Sequence, residues 1–330
     1  MQPVKVFFVF CLSLLYSLSF FPQAIDNTAS FRNINADHYF RLHYENDFFG
    51  GRDRYYTQGI NLETVHPSFK KFPLSKLLPA PKNSIARYGI CLEHNGYTPT
   101  SIIADTILYD DRPYAAAVFL KNFLISNCLQ KRYRITSSLS TGIIGGAAGG
   151  EWMQKTIHKW IHDRQPKGWQ YQIKNDLVLN YETGIEKNIL HLKNHLLLNV
   201  FAKARIGTLN DKLSTGFALI FGKINSGIAS VFSGTENDET KKEKFSFHFY
   251  VQPVISAVAY DATLQGGLLN KKSTYKIREK NISPFTFQGN AGIFIQLCRL
   301  NLEYFQSVIN KEFSTGLYHR WGGVRIGVIL

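Results

Sequence analysis

The sequence predicts an all-β protein, an antiparallel transmembrane β-barrel. Three observations carry this: long runs of alternating polarity, an apolar leader with no later apolar helix, and a heavy aromatic load. The alternation is clearest in four places. Phe40, Leu42 and Tyr44 interleave with Arg41, His43 and Glu45, and Leu196, Leu198, Val200, Ala202, Ala204 and Ile206 with Asn199, Lys203 and Arg205. Phe245, Phe247, Phe249 and Val251 interleave with Ser246, His248, Tyr250 and Gln252, and Leu300, Leu302 and Tyr304 with Arg299, Asn301 and Glu303. Period two means strands with one apolar face. Several runs reach about ten residues, longer than the roughly 5–6 of a soluble strand and close to the roughly 9–11 that cross a bilayer. A soluble sandwich would alternate in the same way, but strand length, the leader and the aromatics favour a barrel. The 17 Tyr and 25 Phe suit aromatic girdles.

The first stretch, MQPVKVFFVFCLSLLYSLSFFPQA, is apolar from Val6 to Phe21 behind Lys5. It is short for a helical span, which needs roughly 20 apolar residues, and reads as a secretory signal peptide over residues 1–24, cut after Ala24 or Ser19. Residues 25–330 then form one domain, whose last strand, HRWGGVRIGVIL, runs to the chain's end. With Cys11 removed, Cys91, Cys128 and Cys298 remain. An odd count excludes a full disulfide framework, so they are expected as small hydrophobes in strands, with one bridge at most. The net charge of +14 fits an anionic partner. For a membrane barrel that is anionic lipid or lipopolysaccharide phosphate, not nucleic acid. The run at Lys241, Lys242 and Lys244 is read as a solvated loop tip.

Two segments break the strand rhythm. Pro67–Asn83, with Pro67, Pro73, Pro79 and Pro81, predicts a long loop with one short helical turn. After the Gly-rich bend at Gly142, Glu151–His162 has helical spacing: Met153, Ile157, Trp160 and Ile161 form an apolar stripe, with Gln154, Lys155, His158 and His162 facing elsewhere. Pro166 and Gly168 close this segment.

The stretch YENDFFGGRDRYYTQG, Tyr44–Gly59, holds more chemistry than a hairpin turn needs. Asp47 is a hard oxygen ligand suited to Ca²⁺, and carbonyls of the Gly50–Gly51 turn can complete a shell. Asp53, Arg54 and Thr57 follow on the return strand. YDDRPYAAAVFL repeats an Asp–Arg pair at Asp111 and Arg112, read as a structural pair in the lumen. His158 and His162, four apart on the helix, make a weak zinc site without a third ligand.

Together these segments carry a resemblance. Asn46, Asp47, Asp53, Arg54, Tyr56, Thr57 and Gly59 are followed in order by GYTPT at Gly96, DRPYAA at Asp111, GIIGGAAGGEWMQKTIH at Gly142, PKGWQYQIKND at Pro166 and EFSTGLYHRWGG near the end. This series resembles the lipid A 3′-O-deacylase (LpxR-type) family of outer-membrane enzymes. The resemblance implies a monomeric barrel of about twelve strands, with a short helix at the active-site end. It implies Ca²⁺-dependent hydrolysis of the ester holding the 3′-linked acyloxyacyl chain of lipid A, in the outer membrane of a Gram-negative bacterium. His158 matches the family's catalytic His, and Asn46, Asp47 and Thr57 match its other active-site positions. Ester hydrolysis at neutral pH needs a base such as imidazole and a cation or fixed donors for the oxyanion; Ca²⁺ held partly by Asp47 would serve, with Asn46 and Thr57 orienting water or donating. Where some members carry a carboxylate six residues after the His, this chain has Arg164, and Asp163 stands as substitute ligand or orienter. A basic pair that some members place before the DR motif is replaced by TSIIADTIL.

Three rivals remain at this stage. The main alternative is a non-catalytic barrel, a porin or lipopolysaccharide-binding structural protein. An outer-membrane phospholipase would need a Ser nucleophile beside a His, and Ser140 lies in plain strand context. A glycan-binding periplasmic sandwich comes last.

Overall fold

The computed structural model describes residues 36–51, 54–224 and 244–330. The predicted signal peptide, Asp53, Lys241 and Lys242 lie outside the described residues. Twelve strands close on themselves in chain order, each antiparallel to both neighbours, and β1 completes the ring against β12. They are β1 Tyr39–Asn46, β2 Tyr55–Val65, β3 Ile85–Thr98, β4 Ala115–Cys128, β5 Tyr133–Ile144, β6 Asp176–Leu192, β7 Leu196–Gly207, β8 Asn210–Lys223, β9 Phe245–Asp261, β10 Phe285–Leu297, β11 Leu300–Ile309 and β12 His319–Ile329.

The alternation resolves into an inside-out pattern. On β7, Asn199 and Lys203 are buried in the lumen, whereas Val200 and Ile206 are exposed on the outer wall. On β1 the buried set is Tyr39, Arg41, His43 and Glu45, and Phe40 and Leu42 face out. A bilayer explains this: the apolar face meets hydrocarbon and the polar face is satisfied within the barrel. Lumen charges are paired: Arg41 with Glu63, Lys121 with Glu93, and Arg325 with Glu303 at 2.5 Å. Tyr56, Leu197, Ile220, Tyr250, Phe305 and Trp321 form a core cluster that joins strands from different sides of the ring. This cluster fills the lumen at its level, and a polar cavity lined by His43, Glu63, Glu93, Lys121 and Arg205 lies within the ring.

The Pro67–Asn83 segment sits at the end of the barrel that carries the start of β1 and the end of β12, opposite Asp47. It forms two 3-10 turns, Pro67–Lys71 and Pro73–Leu77, rather than one, because a Pro opens each. Cys91 and Cys128 are buried and Cys298 is exposed, and all three are free. Lys244 is exposed, as its loop assignment requires. Asp111 and Arg112 are joined only through the main chain, the Arg112 N–H donating to Asp111 Oδ1 at 2.8 Å, and their side chains form no ion pair. Arg112 is buried in the lumen, paired with Glu312, donating to Thr263 Oγ1 at 2.6 Å and lying over the Tyr97 ring. Asp111 turns the other way and accepts from the Thr100 backbone N–H at 2.8 Å.

The helix between β5 and β6 is α1, Gly150–Trp160. It ends before the predicted His162, which adopts a left-handed φ of 56° and points the chain away. Its buried row is Gly150, Gln154 and His158, while Trp152, Trp160 and Ile161 are 70%, 74% and 63% exposed. The predicted apolar stripe is thus divided: Met153 and Ile157 are half-buried, Trp160 and Ile161 are exposed, and the fully buried row lies beside it. This helix rests on a polar part of the barrel wall, so its polar side is the covered one.

Candidate active site

Strand register shows where that wall lies. Leu42, Leu62, Leu92 and Leu120 are partners across β1–β4 and all face outward. Two residues further along each strand the outward row becomes Tyr44, Ile60, His94 and Val118. Two further still it holds Asn46, paired with Gly322 on β12, and the paired run Gln58, Gly96 and Ala116. The lipid-facing wall therefore changes from leucine to small and polar residues as it nears the rim. An outer-wall row without apolar bulk has no use against hydrocarbon. It makes room for something laid upon it.

The β5–β6 connection is laid there. Gly145 donates to the Ala116 carbonyl at 2.8 Å, and His94 Nε2 reaches the Ala148 carbonyl at 3.1 Å. The α1 backbone comes so close to β4 that a Cβ on Gly150 would stand 2.4 Å from the Ala116 Cβ. Met153 Sδ touches Gln58 Nε2 on β2. These contacts turn Gln154 and His158 toward the outer wall, with Gln154 4% and His158 7% exposed.

The β1–β2 turn forms the rim beside it. Asp47–Gly50 is a 3-10 turn capped by Asn46, whose Oδ1 accepts from the Phe48 N–H at 2.7 Å. Gly51 closes it with φ 68°, a conformation that costs Gly nothing. Asp47 is buried, and its Oδ2 accepts from the Arg54 N–H, which ties the two ends of the loop together. Register then steps from Tyr56–Tyr97 to Gln58–Gly96, so Thr57 is the inserted residue of a β-bulge. Bulges re-aim side chains next to functional sites, and the methyl of Thr57 lies over the outward side of Gly96. Tyr55 beside it holds φ 69°, strained for a residue with a Cβ. Its hydroxyl is anchored by the Leu317 N–H at 3.1 Å.

Within α1, His158 Nδ1 donates to the Arg164 carbonyl at 2.7 Å, with Asp163 Oδ2 3.7 Å from the same nitrogen. Gln154 Oε1 accepts from Trp169 Nε1 at 2.8 Å, which fixes the amide and leaves Nε2 buried with no partner among the described residues. Neighbouring loops brace the rim: Tyr275 donates to the Asp111 carbonyl at 2.8 Å, and burial pushes its phenol up to about 12, so it remains a donor.

The predicted site residues thus fall into two groups, Asn46, Asp47 and Thr57 on the β1–β2 rim and His158 with Asp163 on the β5–β6 loop. The Gln58–Met153 contact joins the groups. Gln154, His94 and the Arg164 carbonyl had no assigned part. For Gln154 a signal existed, its place one helical turn before His158 on the same polar face.

A model of the family described as "Outer membrane protein LpxR" matches residues 7–330. The chain belongs to the LpxR family. Among solved structures, LpxR from Salmonella typhimurium matches with TM-score 0.69 at 18% identity, covering 88% of this chain and 100% of that one. The β domain of the Bordetella autotransporter BrkA matches with TM-score 0.45 at 9% identity, covering 89% of this chain and 99% of that one, a likeness too loose to argue from. A comparison with curated proteins returns no match. As an LpxR-family barrel, the protein resides in the outer membrane of a Gram-negative bacterium.

The donor chemistry at the rim suits a hard cation. Asp47 offers a buried carboxylate, Asn46 an amide and Thr57 a hydroxyl, all oxygen donors. Among the described residues no three His, Cys, Asp or Glu gather as a metal-binding group. A cation at Asp47 would therefore draw its remaining oxygens from neutral groups. His158 is buried whereas His162 is exposed at a left-handed turn, so the two do not converge on one ion as a zinc pair would require.

Proposed function

We propose that this barrel is a lipid A 3′-O-deacylase, hydrolysing the ester that holds the 3′-linked acyloxyacyl chain, with His158 as general base. The observation that carries the proposal is the position of His158 and Gln154, buried beside the lipid-facing wall and next to the β1–β2 rim. A hydrolase for a soluble substrate would open to solvent, whereas this site opens where a membrane glycolipid presents its acyl esters.

The residues fit the chemistry. Nδ1 of His158 faces a carbonyl, which only accepts, so Nδ1 carries the ring proton and Nε2 keeps its lone pair. Nε2 has no protein partner among the described residues and is the atom that takes a proton from water. The hydroxide so formed attacks the ester carbon, and the proton passes to the sugar oxygen as the C–O bond breaks, releasing the fatty acid. Gln154 Nε2 is the pre-oriented donor for the oxyanion. Asn46 and Thr57 orient the water or donate beside it. Ca²⁺ bound through Asp47, Asn46 and Thr57 would add positive charge where the oxyanion develops. Asp163 acts as an orienter of His158, supported by its 3.7 Å approach to Nδ1.

Mass spectrometry of lipid A from cells with and without this protein tests the proposal. Expected is loss of the mass of one acyloxyacyl group in expressing cells. Unchanged lipid A, with the barrel present in the outer membrane, would overturn it.

A further inference from the structure

The outer face of α1 is out of keeping with an extracellular loop. Trp152 and Trp160 are 70% and 74% exposed, and Lys155 and Lys159 stand exposed between them. A helix washed by water on this side would gain nothing from two bare indoles. The face opposite them is the one packed on the lipid-facing wall, so the indoles point away from the barrel.

The strand surface supplies a second observation. On the neighbouring wall, Phe49 is held edge-on between Tyr44 of β1 and Tyr304 of β11, at 6.3 and 6.2 Å. Tyr304, Val324, Tyr44, Ile60, His94 and Val118 form one hydrogen-bonded row. That row carries its aromatics on β11 and β1 and loses them on β2–β4, under α1. A barrel needs an aromatic girdle at its interface, and α1 covers the gap.

We infer that Trp152 and Trp160 of α1 are a membrane-interface anchor, seated at the boundary of headgroups and acyl chains in the outer leaflet. They replace the strand girdle over β2–β4. Lys155, paired to Glu151 at 2.6 Å, and Lys159 lie among the phosphorylated headgroups of that surface. The occupant is a lipid surface, argued from continuity with the barrel's lipid belt. Such an anchor holds His158, on the opposite side of the same helix, at a fixed depth in the leaflet.

The test uses the full barrel in phosphatidylcholine vesicles carrying acyl chains brominated near the headgroup. The other two Trp, Trp169 and Trp321, are buried and give a constant background. Brominated lipid is expected to quench the wild-type emission, and the Trp152→Ser/Trp160→Ser variant to lose that quenching. Quenching by aqueous iodide in place of brominated lipid would place both indoles in water and overturn the proposal. The readout does not involve turnover, so it stands or falls apart from the deacylase proposal on which its functional meaning rests. In that functional arm, the variant's hydrolysis of vesicle-embedded lipid A falls by about tenfold while detergent-dispersed substrate is cleaved as by wild type. Equal loss in both would show that the indoles serve the fold of α1 and not its seating.

Discussion

His158 Nδ1 lies 2.7 Å from the backbone carbonyl oxygen of Arg164. Where the resemblance implies a side-chain carboxylate in some family members, six residues after the histidine, this chain presents the backbone carbonyl of Arg164. Both accept a hydrogen bond, and both leave Nε2 unprotonated in the neutral ring. A carbonyl differs in carrying no net charge and in being set by backbone geometry. The Asp163 carboxylate, half exposed at 3.7 Å, adds charge that water screens.

His158→Ala is expected to give a folded, heat-modifiable barrel whose deacylation rate falls by about 10²–10⁴. His162→Asn, which keeps a residue tolerant of the left-handed turn, should retain most activity, because His162 is exposed and directed away from α1's buried row. Near wild-type turnover by His158→Ala would remove the histidine from the mechanism.

Gln154→Glu separates the two ends of one amide. The carboxylate still accepts from Trp169 Nε1, so the local packing survives, but the donor is gone and a negative charge faces the oxyanion. Turnover is expected to drop by about 10²–10³. Trp169→Phe keeps the donor and frees its orientation, so a smaller loss follows. If the two variants behave alike, Gln154 serves packing alone.

Asp47 is the site for the metal test, and thermal unfolding gives a readout separate from activity. Ca²⁺ that binds only the folded barrel at 100 times its Kd should stabilise it by about 2.7 kcal/mol, visible as a rise in Tm that EGTA reverses. Asp47→Ala should abolish that rise and raise the Ca²⁺ needed for turnover. Asp163→Asn should leave the Ca²⁺ requirement unchanged and cost less than about tenfold in rate, as expected of a positioning residue. A shifted requirement in Asp163→Asn would make it a ligand instead.

The barrel was legible because alternation over ten or more residues has few other meanings, and Leu196–Ile206 alone gives both strand and lipid face. That Asn46, Asp47 and Thr57 share one hairpin was legible from their spacing, while their roles rest on the proposed function. Other features depend on register, which alternation within one strand does not reveal. That Gln58, Gly96 and Ala116 form one small, polar row follows only from pairing β2 with β3 and β3 with β4. The bulge at Thr57 is a slip between two strands and leaves no mark on either. The polarity of α1 misled for a definite reason. Hydrophobic spacing identifies the buried face only where the helix covers an apolar core, and here Gln154 and His158 are covered while Trp160 and Ile161 are exposed. The partner of His158 was invisible because it is a carbonyl, which every residue carries.

Gly150 tests whether the seating of α1 on the outer wall matters. Its added Cβ in Gly150→Ala would meet the Ala116 Cβ at 2.4 Å and the Trp169 ring at 2.7 Å, distances that force a shift. The strands are locked by hydrogen bonds on both sides, whereas α1 is held by a few contacts, so the helix gives way. Overpacking of this kind costs about 1–3 kcal/mol, too little to open a closed ring. A displacement of about 1 Å at the base is enough to cost about 10²-fold in rate. Gly150→Ala is therefore expected to insert and show normal heat-modifiability but deacylate poorly. Ala116→Gly on top of it removes one of the two clashes, and part of the rate should return. Full activity in the single variant would mean that α1 is free to settle elsewhere on the wall, and that the close approach of Gly150 to Ala116 does not position His158.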